Sequence, residues 1–381
     1  MRGYHPRVQV VRRGDDGPIV SEIRAKLTRL GFLVPADPAD HFDDATDHAV
    51  REFQQQRGLR VDGVVGSETY RALEEARWQL GDRSLSYVVG HPYVGDDVAT
   101  LQQRLMEMGF DPGRCNGSFG AQTEAALREF QRNVGLVPDG ILGPTTLAAL
   151  QRLERTVTGG SASERREEEQ LRRGGSALTG RVIVLDPGHG GDDLGVFAHD
   201  LAEADVVLDL VRRVEGRLGA LGVLVHLTRG GDASPDDDAR ARLANDIGAD
   251  LLLSVHTEAA TSERPCGIAT YYYGANLPSG PVRSVIGERL ATLVQREIVA
   301  RTDLVDCRTH PKAWELLRLT RMPAVRVDVG YLTHVGDAGR LANAEFRDAV
   351  AEAIVAAVQR LYLPAERDIP TGQFRMPALT G

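Results

Sequence analysis

The sequence predicts an α/β domain, an open mixed sheet with helices on both faces, preceded by two small three-helix all-α modules. Three observations carry this reading. The stretch AVREFQQQRGLRVDGVVGSETYRAL returns about 77 residues later as ALREFQRNVGLVPDGILGPTTLAAL, with about half of its positions identical. From Arg181 onward, apolar strand-like runs alternate with helical patterns, as they do when helices cover a sheet. Between the two halves lies a block of glycine, serine and mixed charge that cannot bury a core of its own.

A chain of 381 residues, 42% hydrophobic, is long enough for two or three units with real cores. Its 45 basic and 54 acidic residues leave a formal charge of -9, which speaks against a nucleic-acid partner, since phosphate-backbone binding needs concentrated Lys and Arg. Cys115, Cys266 and Cys307 are odd in number and widely spaced, so they suggest neither a disulfide framework nor a C-x-x-C metal site. They read as small residues in a reducing compartment. The opening MRGYHPRVQVVRRGDDGP lacks the ~7–15-residue apolar core of a secretory signal, and no later segment approaches the ~20 apolar residues of a membrane helix. The expectation is a cytoplasmic protein without a transmembrane segment.

The first module is expected over 18–78 and the second over 95–153. Each copy opens with an amphipathic segment (IRAKLTRLGF, LQQRLMEMGF) and passes a turn ending in Phe42 or Phe119. A second helix through Phe53 or Phe130 follows, then a DG turn and a short third helix opened by Ser67-Glu68-Thr69 or Pro144-Thr145-Thr146. Pattern alone is equally compatible with a duplication that binds no ligand. A flexible linker with one solvated helical turn is expected over 154–180, the α/β domain over 181–363, and a proline-punctuated tail over 364–381.

In the α/β domain the strand candidates are RVIVLD, VLVHLT, LLLSVH and AVRVDV. Chemistry in open α/β sheets gathers at the carboxyl ends of the strands, where His189 in DPGHGG and His256 in SVHTEA fall. Glu203 would open a helix, and the glycines around His189 leave room for an ion and a substrate. A hydrolytic zinc site commonly takes three such protein ligands and keeps a fourth position for water. Taken singly, each residue reads more readily as a satisfied polar group than as a ligand. GHGGDDLG lacks the G-K-[ST] of a phosphate loop and does not fit G-x-G-x-x-G, and His226, His310 and His334 read as structural.

Two family resemblances sharpen these expectations. LQ..L..LG(F/Y), DG.FG..T and (V/L)..FQ...GL..DG..G..T resemble the peptidoglycan-binding type 1 module across 20–75 and 97–152. The second copy is nearly complete; in the first, HFDDAT stands where NGSFGAQT stands and Asp43 replaces Gly120, which implies weak binding or a scaffold role. VIVLDPGHGG, Glu203, LLLSVH and MPAVRVDVGYLT resemble the zinc-dependent N-acetylmuramoyl-L-alanine amidases of the type 3 family across 181–362. That resemblance implies Zn2+ on His189, Glu203 and His256, with Asp328 in the place of the catalytic glutamate. It also implies hydrolysis of the amide joining the lactyl group of muramic acid to L-alanine, in peptidoglycan fragments or precursors.

The departures matter as much. Asp328 is shorter than glutamate by roughly 1.5 Å. Arg326 lies two positions away on the same strand face, where the family carries an apolar residue. Glu258 stands where the family has asparagine and would add a ligand, repel an anionic substrate or turn to solvent. Together with the absent signal, the arrangement resembles the CwlM-type proteins of actinobacteria. That implies a catalytically weak or inactive cytoplasmic regulator of peptidoglycan precursor synthesis, with the enolpyruvyl transferase MurA as partner. In the tail, Phe374, Met376 and Leu379 would dock and Thr371 would be a phosphosite.

Overall fold

The computed structural model describes residues 10–32, 40–154, 162–173, 175, 177–277 and 280–363. The tail with Thr371 lies outside them. Contacts divide the chain into two compact units. The first is 1–166 with 274–283 and 312–318, and the second is 167–273, 284–311 and 319–381.

The first unit holds α1 (Pro18–Arg29), α2 (Asp44–Gln56), α3 (Ser67–Ala76), α4 (Asp96–Glu107), α5 (Ala121–Asn133) and α6 (Pro144–Glu154). Each trio closes over its own core. Val20, Ile23, Leu27, Phe42, Val50, Phe53 and Leu73 form one, and Leu101, Leu105, Phe119, Leu127, Phe130 and Leu150 the other. The i, i+3, i+4 spacing puts these side chains on one helix face, and each buried aromatic contributes about 1.5–3 kcal/mol. Phe32 meets Phe53 edge-on at 5.7 Å, and Phe110 meets Phe130 in the same way at 5.7 Å.

The repeated FQ and DG letters have one explanation. Gln54 Nε2 donates to Asp62 Oδ1, Val64 O and Thr69 Oγ1, while its Oε1 accepts from Gly63 N. Gln131 repeats this on Asp139, Ile141, Thr146 and Gly140. A buried amide with both ends satisfied fixes each turn without burying charge. The earlier turn of the second copy uses Gln102 likewise, on Asn116, Ser118 O and Thr123. The first copy puts Arg24 at that place, bonded to His41 O, Asp43 and Thr46. Asp43 is therefore one half of a substituted pair; it also caps α2 by accepting from Thr46 N at 2.8 Å, a service Gly120 cannot give α5.

Between the modules and the sheet, α7 (Ala162–Arg173) corrects the expected linker. It is a helix of 12 residues, where one solvated turn was expected. Its Glu, Gln, Leu and Arg are strong helix formers, Glu168 and Arg172 pair at i, i+4, and Leu171 packs against the core of the second unit.

The α/β region follows as β1 (Val182–Pro187), β2 (Phe197–Ala198), β3 (Leu201–Ala202), α8 (Glu203–Ala220), β4 (Leu224–Leu227), α9 (Asp237–Ile247) and β5 (Leu251–Glu258). It continues through β6 (Ile268–Leu277), β7 (Gly280–Arg283), α10 (Val285–Arg301), β8 (Asp306–Lys312), α11 (Glu315–Leu319), β9 (Ala324–Tyr331), α12 (Val335–Ala342) and α13 (Ala344–Tyr362). Strand order is β4-β1-β5-β9-β6-β7, with β8 pairing β6. The pairs β1–β4, β1–β5 and β5–β9 are parallel and β6–β9 is antiparallel, so the sheet is open and mixed. Ile183, Leu185, Leu253, Val255 and Val327 pack against α8, α10 and α13 on one face. Val184, Leu252 and Ala324 are buried on the other, to which α9 delivers Arg240. No described helix is long and apolar enough to cross a membrane.

Candidate metal centre

Three elements converge at the carboxyl end of the sheet. β1 ends in Asp186-Pro187, and the chain turns at Gly188, whose N–H donates to Val255 O at 3.0 Å. A Cβ added to Gly188 would sit 2.1 Å from His256 Cε1, so no larger residue can stand there without displacing that imidazole. His189 itself adopts φ 57°, a left-handed conformation that only strong surroundings impose on a side-chain-bearing residue.

Those surroundings are two buried arginines. Arg229 donates to Pro187 O, Gly188 O and Ala204 O at 2.7–3.0 Å. Arg240 donates to Pro187 O at 2.9 Å and to His189 O at 2.8 Å, and it pairs with Asp186. Asp186 is fully buried and also accepts from Ser254 Oγ at 2.6 Å and from Thr228 Oγ1. Burial alone would raise its carboxyl; Arg240 and the two hydroxyls overrule this and hold it below the ordinary aspartate range.

Glu203 begins α8 directly after the tight β2–β3 hairpin, whose turn residues His199 and Asp200 both have positive φ. The carboxylate is 1% exposed. Its Oε1 accepts from Thr257 N at 2.9 Å and faces His256 Nδ1 at 3.1 Å; its Oε2 accepts from Val196 N at 3.1 Å and faces His189 Nε2 at 3.2 Å. Burial works against ionisation, yet the two imidazoles keep this carboxyl well below the usual range. His256, on β5, is pushed down to about 4, first by burial and then by the Arg326 guanidinium, so it is neutral and carries a lone pair at neutral pH.

One donor atom from each of His189, Glu203 and His256 lies within 4.8 Å of the others. Two imidazole nitrogens and one carboxylate oxygen are the donor set that zinc takes in hydrolytic sites. The space between them is kept by glycine: a Cβ on Gly195 would lie 2.6 Å from His189 Cδ2 and 2.7 Å from Glu203 Oε2. The residues present therefore fit a divalent ion.

Asp328 is the in-register neighbour of His256 on β9 and is 2% exposed. Its Oδ1 accepts from Arg326 Nε at 2.7 Å, and its Oδ2 is buried without a partner. Burial pushes this carboxyl up to about 6, against the pull of Arg326. Glu258 follows a register shift in β5 after His256, and its Oε1 accepts from Ala259 N at 3.0 Å. Among the described residues the metal-capable group contains only the three candidate ligands, without Glu258.

Sequence reasoning missed Asp193. Its Oδ2 meets His189 Nδ1 at 2.8 Å and its Oδ1 accepts from Gly195 N at 3.0 Å, so it fixes the ring with Nε2 directed at Glu203. A carboxylate four residues after the histidine was the available signal. Arg229 and Arg240 lie 40 or more residues beyond Asp186, Gly188 and His189, apart from the Ala204 contact, and nothing local marks them.

The N-acetylmuramoyl-L-alanine amidase family model matches 183–360, and the peptidoglycan binding domain model matches 16–73 and 94–150. The chain is 48% identical over 382 residues to N-acetylmuramoyl-L-alanine amidase CwlM of Mycobacterium tuberculosis, covering 97% of this chain and 93% of that protein. It is 33% identical over 177 residues to N-acetylmuramoyl-L-alanine amidase LytC of Bacillus subtilis, covering 46% of this chain and 34% of that one. Among solved structures, N-acetylmuramoyl-L-alanine amidase AmiC2 of Nostoc punctiforme aligns with a TM-score of 0.43 at 31% identity, over 47% of this chain and 96% of that chain. The chain thus belongs to the N-acetylmuramoyl-L-alanine amidase family and carries two peptidoglycan-binding domains ahead of its amidase domain.

Proposed function

We propose that the protein hydrolyses the amide between the lactyl group of muramic acid and the L-alanine of the stem peptide, with Zn2+ as cofactor. The observation that carries this is the convergence of His189, Glu203 and His256, from three separate elements, to within 4.8 Å. Bound there, the ion would supply Lewis-acid polarisation of the scissile carbonyl and acidify a water toward pH ~7.

The chain's own residues do the rest. Glu203, held ionised by Thr257 N, Val196 N and both imidazoles, supplies negative charge without swinging free. Asp193 keeps His189 in one tautomer. Asp328, with Oδ2 unengaged, takes the proton from the attacking water and returns it to the departing amine. The two modules would hold the polymer close and raise its effective concentration.

The Arg326–Asp328 bond favours a second reading, in which the amidase fold persists with little turnover. The guanidinium stabilises the ionised aspartate and makes it a poor donor to the leaving amine. Under this reading the protein would be a cytoplasmic regulator of precursor synthesis, with MurA as the partner and Thr371 as the phosphosite.

Purified full-length protein loaded with zinc, incubated with a muramoyl-peptide, separates the two. Cleavage by the wild type that disappears in His189→Ala supports the hydrolase. Silence in the wild type with activity gained in Asp328→Glu supports the restrained site. Silence in every variant, with zinc bound stoichiometrically, sinks the hydrolytic reading.

A further inference from the structure

Two of the three cysteines, separated by 41 positions in sequence, meet in space. Cys307 Sγ lies 3.2 Å from the Cys266 carbonyl oxygen. A Cβ placed on the intervening Gly267 would be only 3.0 Å from that sulfur. A carbonyl oxygen and the Cβ of its own residue are at most about 3.6 Å apart, so the sulfur is within about 7 Å of Cys266 Cβ. Both cysteines are reduced and half-buried, whereas Cys115 is buried in the other unit.

The backbone around the pair can give on one side only. Gly267 is fixed, its N–H donating to the buried Asp337 Oδ2 at 2.8 Å, an oxygen that also accepts from Tyr331 N at 3.0 Å. Thr261 to Arg264, just ahead of Cys266, are exposed. An S–S bond would ask for rotation about the two χ1 angles and a shift of that exposed loop.

We infer that Cys266 and Cys307 form a modification site, a thiol pair that a hydroperoxide converts to an intramolecular disulfide. One thiolate attacks the peroxide oxygen, giving a sulfenic acid and releasing water. The second thiol attacks that sulfur and expels the hydroxyl as a second water. In balance, two thiols and one H2O2 become one disulfide and two waters. The bond would tie the loop leaving β5, the strand that carries His256, to β8. Burial, with Cys266, Asp306 and Asp337 nearby, holds the Cys307 thiol above its ordinary range, so attack by Cys307 quickens as pH rises. The inference is independent of whether the metal centre turns over, because it is read from thiol chemistry.

The test is treatment of reduced, natively folded full-length protein with stoichiometric H2O2, followed by alkylation and non-reducing tryptic mass spectrometry. Peptide 243–283 carries Cys266, 302–308 carries Cys307 and 115–128 carries Cys115, so each linkage is distinguishable. The expected product links 243–283 to 302–308, takes free thiols from three to one per chain, and reverts with dithiothreitol. It should vanish in Cys266→Ser and in Cys307→Ser and persist in Cys115→Ser. Oxidation of either thiol only to sulfinic acid, a linkage through Cys115, or a linkage between two chains would overturn the assignment.

Discussion

Arg326 Nε lies 2.7 Å from Asp328 Oδ1, two positions along one strand, and Asp328 stands beside the metal-ligand candidate His256 in the sheet register. Burial and the guanidinium pull the aspartate in opposite directions, so the pair sets how readily Asp328 gives up or accepts a proton. Arg326→Leu removes the stabilisation of the ionised form. A charge-assisted bond contributes about 1.5–3 kcal/mol, and Arg326 is 26% exposed, so the discounted effect on the proton-return step is roughly tenfold. Amide cleavage by Arg326→Leu is expected to be faster than wild type by that factor; an unchanged or lower kcat with normal metal content would show that the pair does not limit turnover.

Asp193 should matter to the ion before it matters to the reaction. Removing an outer partner of a ligating histidine typically costs about 10–100-fold in metal affinity. Asp193→Ala is expected to weaken zinc binding in that range in competition with a chromophoric chelator, and Asp193→Asn by less, because an amide can still bond Nδ1 at 2.8 Å. Equal affinities for all three proteins would remove Asp193 from the site.

The contrast between what could and could not be read from sequence follows the range of each interaction. Periodicity and local motifs exposed Phe53 and Phe130, the strand that ends just before His189, the strands that hold His256 and Asp328, and Glu203 at a helix start, because one element's pattern suffices for each. Arg24 and Asp43 form a pair 19 residues apart, and only Asp43 stood out, as a lone departure from the repeat. Cys266 and Cys307 looked unrelated because the pairing of β6 with β8 brings them together, and no single element's pattern reports which strands will pair. The helix α7 was masked by a charged, glycine-flanked composition that resembles linker until Leu171 finds a core.

Asp186 predicts a pH dependence. Its folded pKa is depressed below the ordinary 3.8, so the stabilisation it contributes is fully present above about pH 4 and is lost as pH falls through the lower folded value. Asp186→Asn leaves Arg240 buried without its counter-charge, which costs about 3–5 kcal/mol. Denaturation of the α/β region, followed at pH 7 and again near pH 3, should show a large gap between wild type and variant at the higher pH. The gap should narrow on acidification; one that stays constant across that range would mean Asp186 is not the titrating partner.

The first module offers a compensation test. Arg24 has only 5% of its side chain exposed and Asp43 25%, and together they occupy the places of Gln102 and Gly120 in the second. Arg24→Gln leaves Asp43 without its guanidinium; Asp43→Gly takes from the buried Arg24 the carboxylate that its Nη1 bonds at 3.0 Å. Each single change should destabilise the module, and the double variant, which recreates the amide arrangement of the second copy, should recover most of the loss. The expected coupling is about 1–3 kcal/mol, toward the lower end because Asp43 is partly solvated. Hydrogen exchange over residues 41–56 in the full-length protein measures it: protection should fall in both single variants and return in the double. Losses that simply add would mean that the arginine and the aspartate entered this repeat independently, and that the turn after Phe42 is held by something other than their pairing.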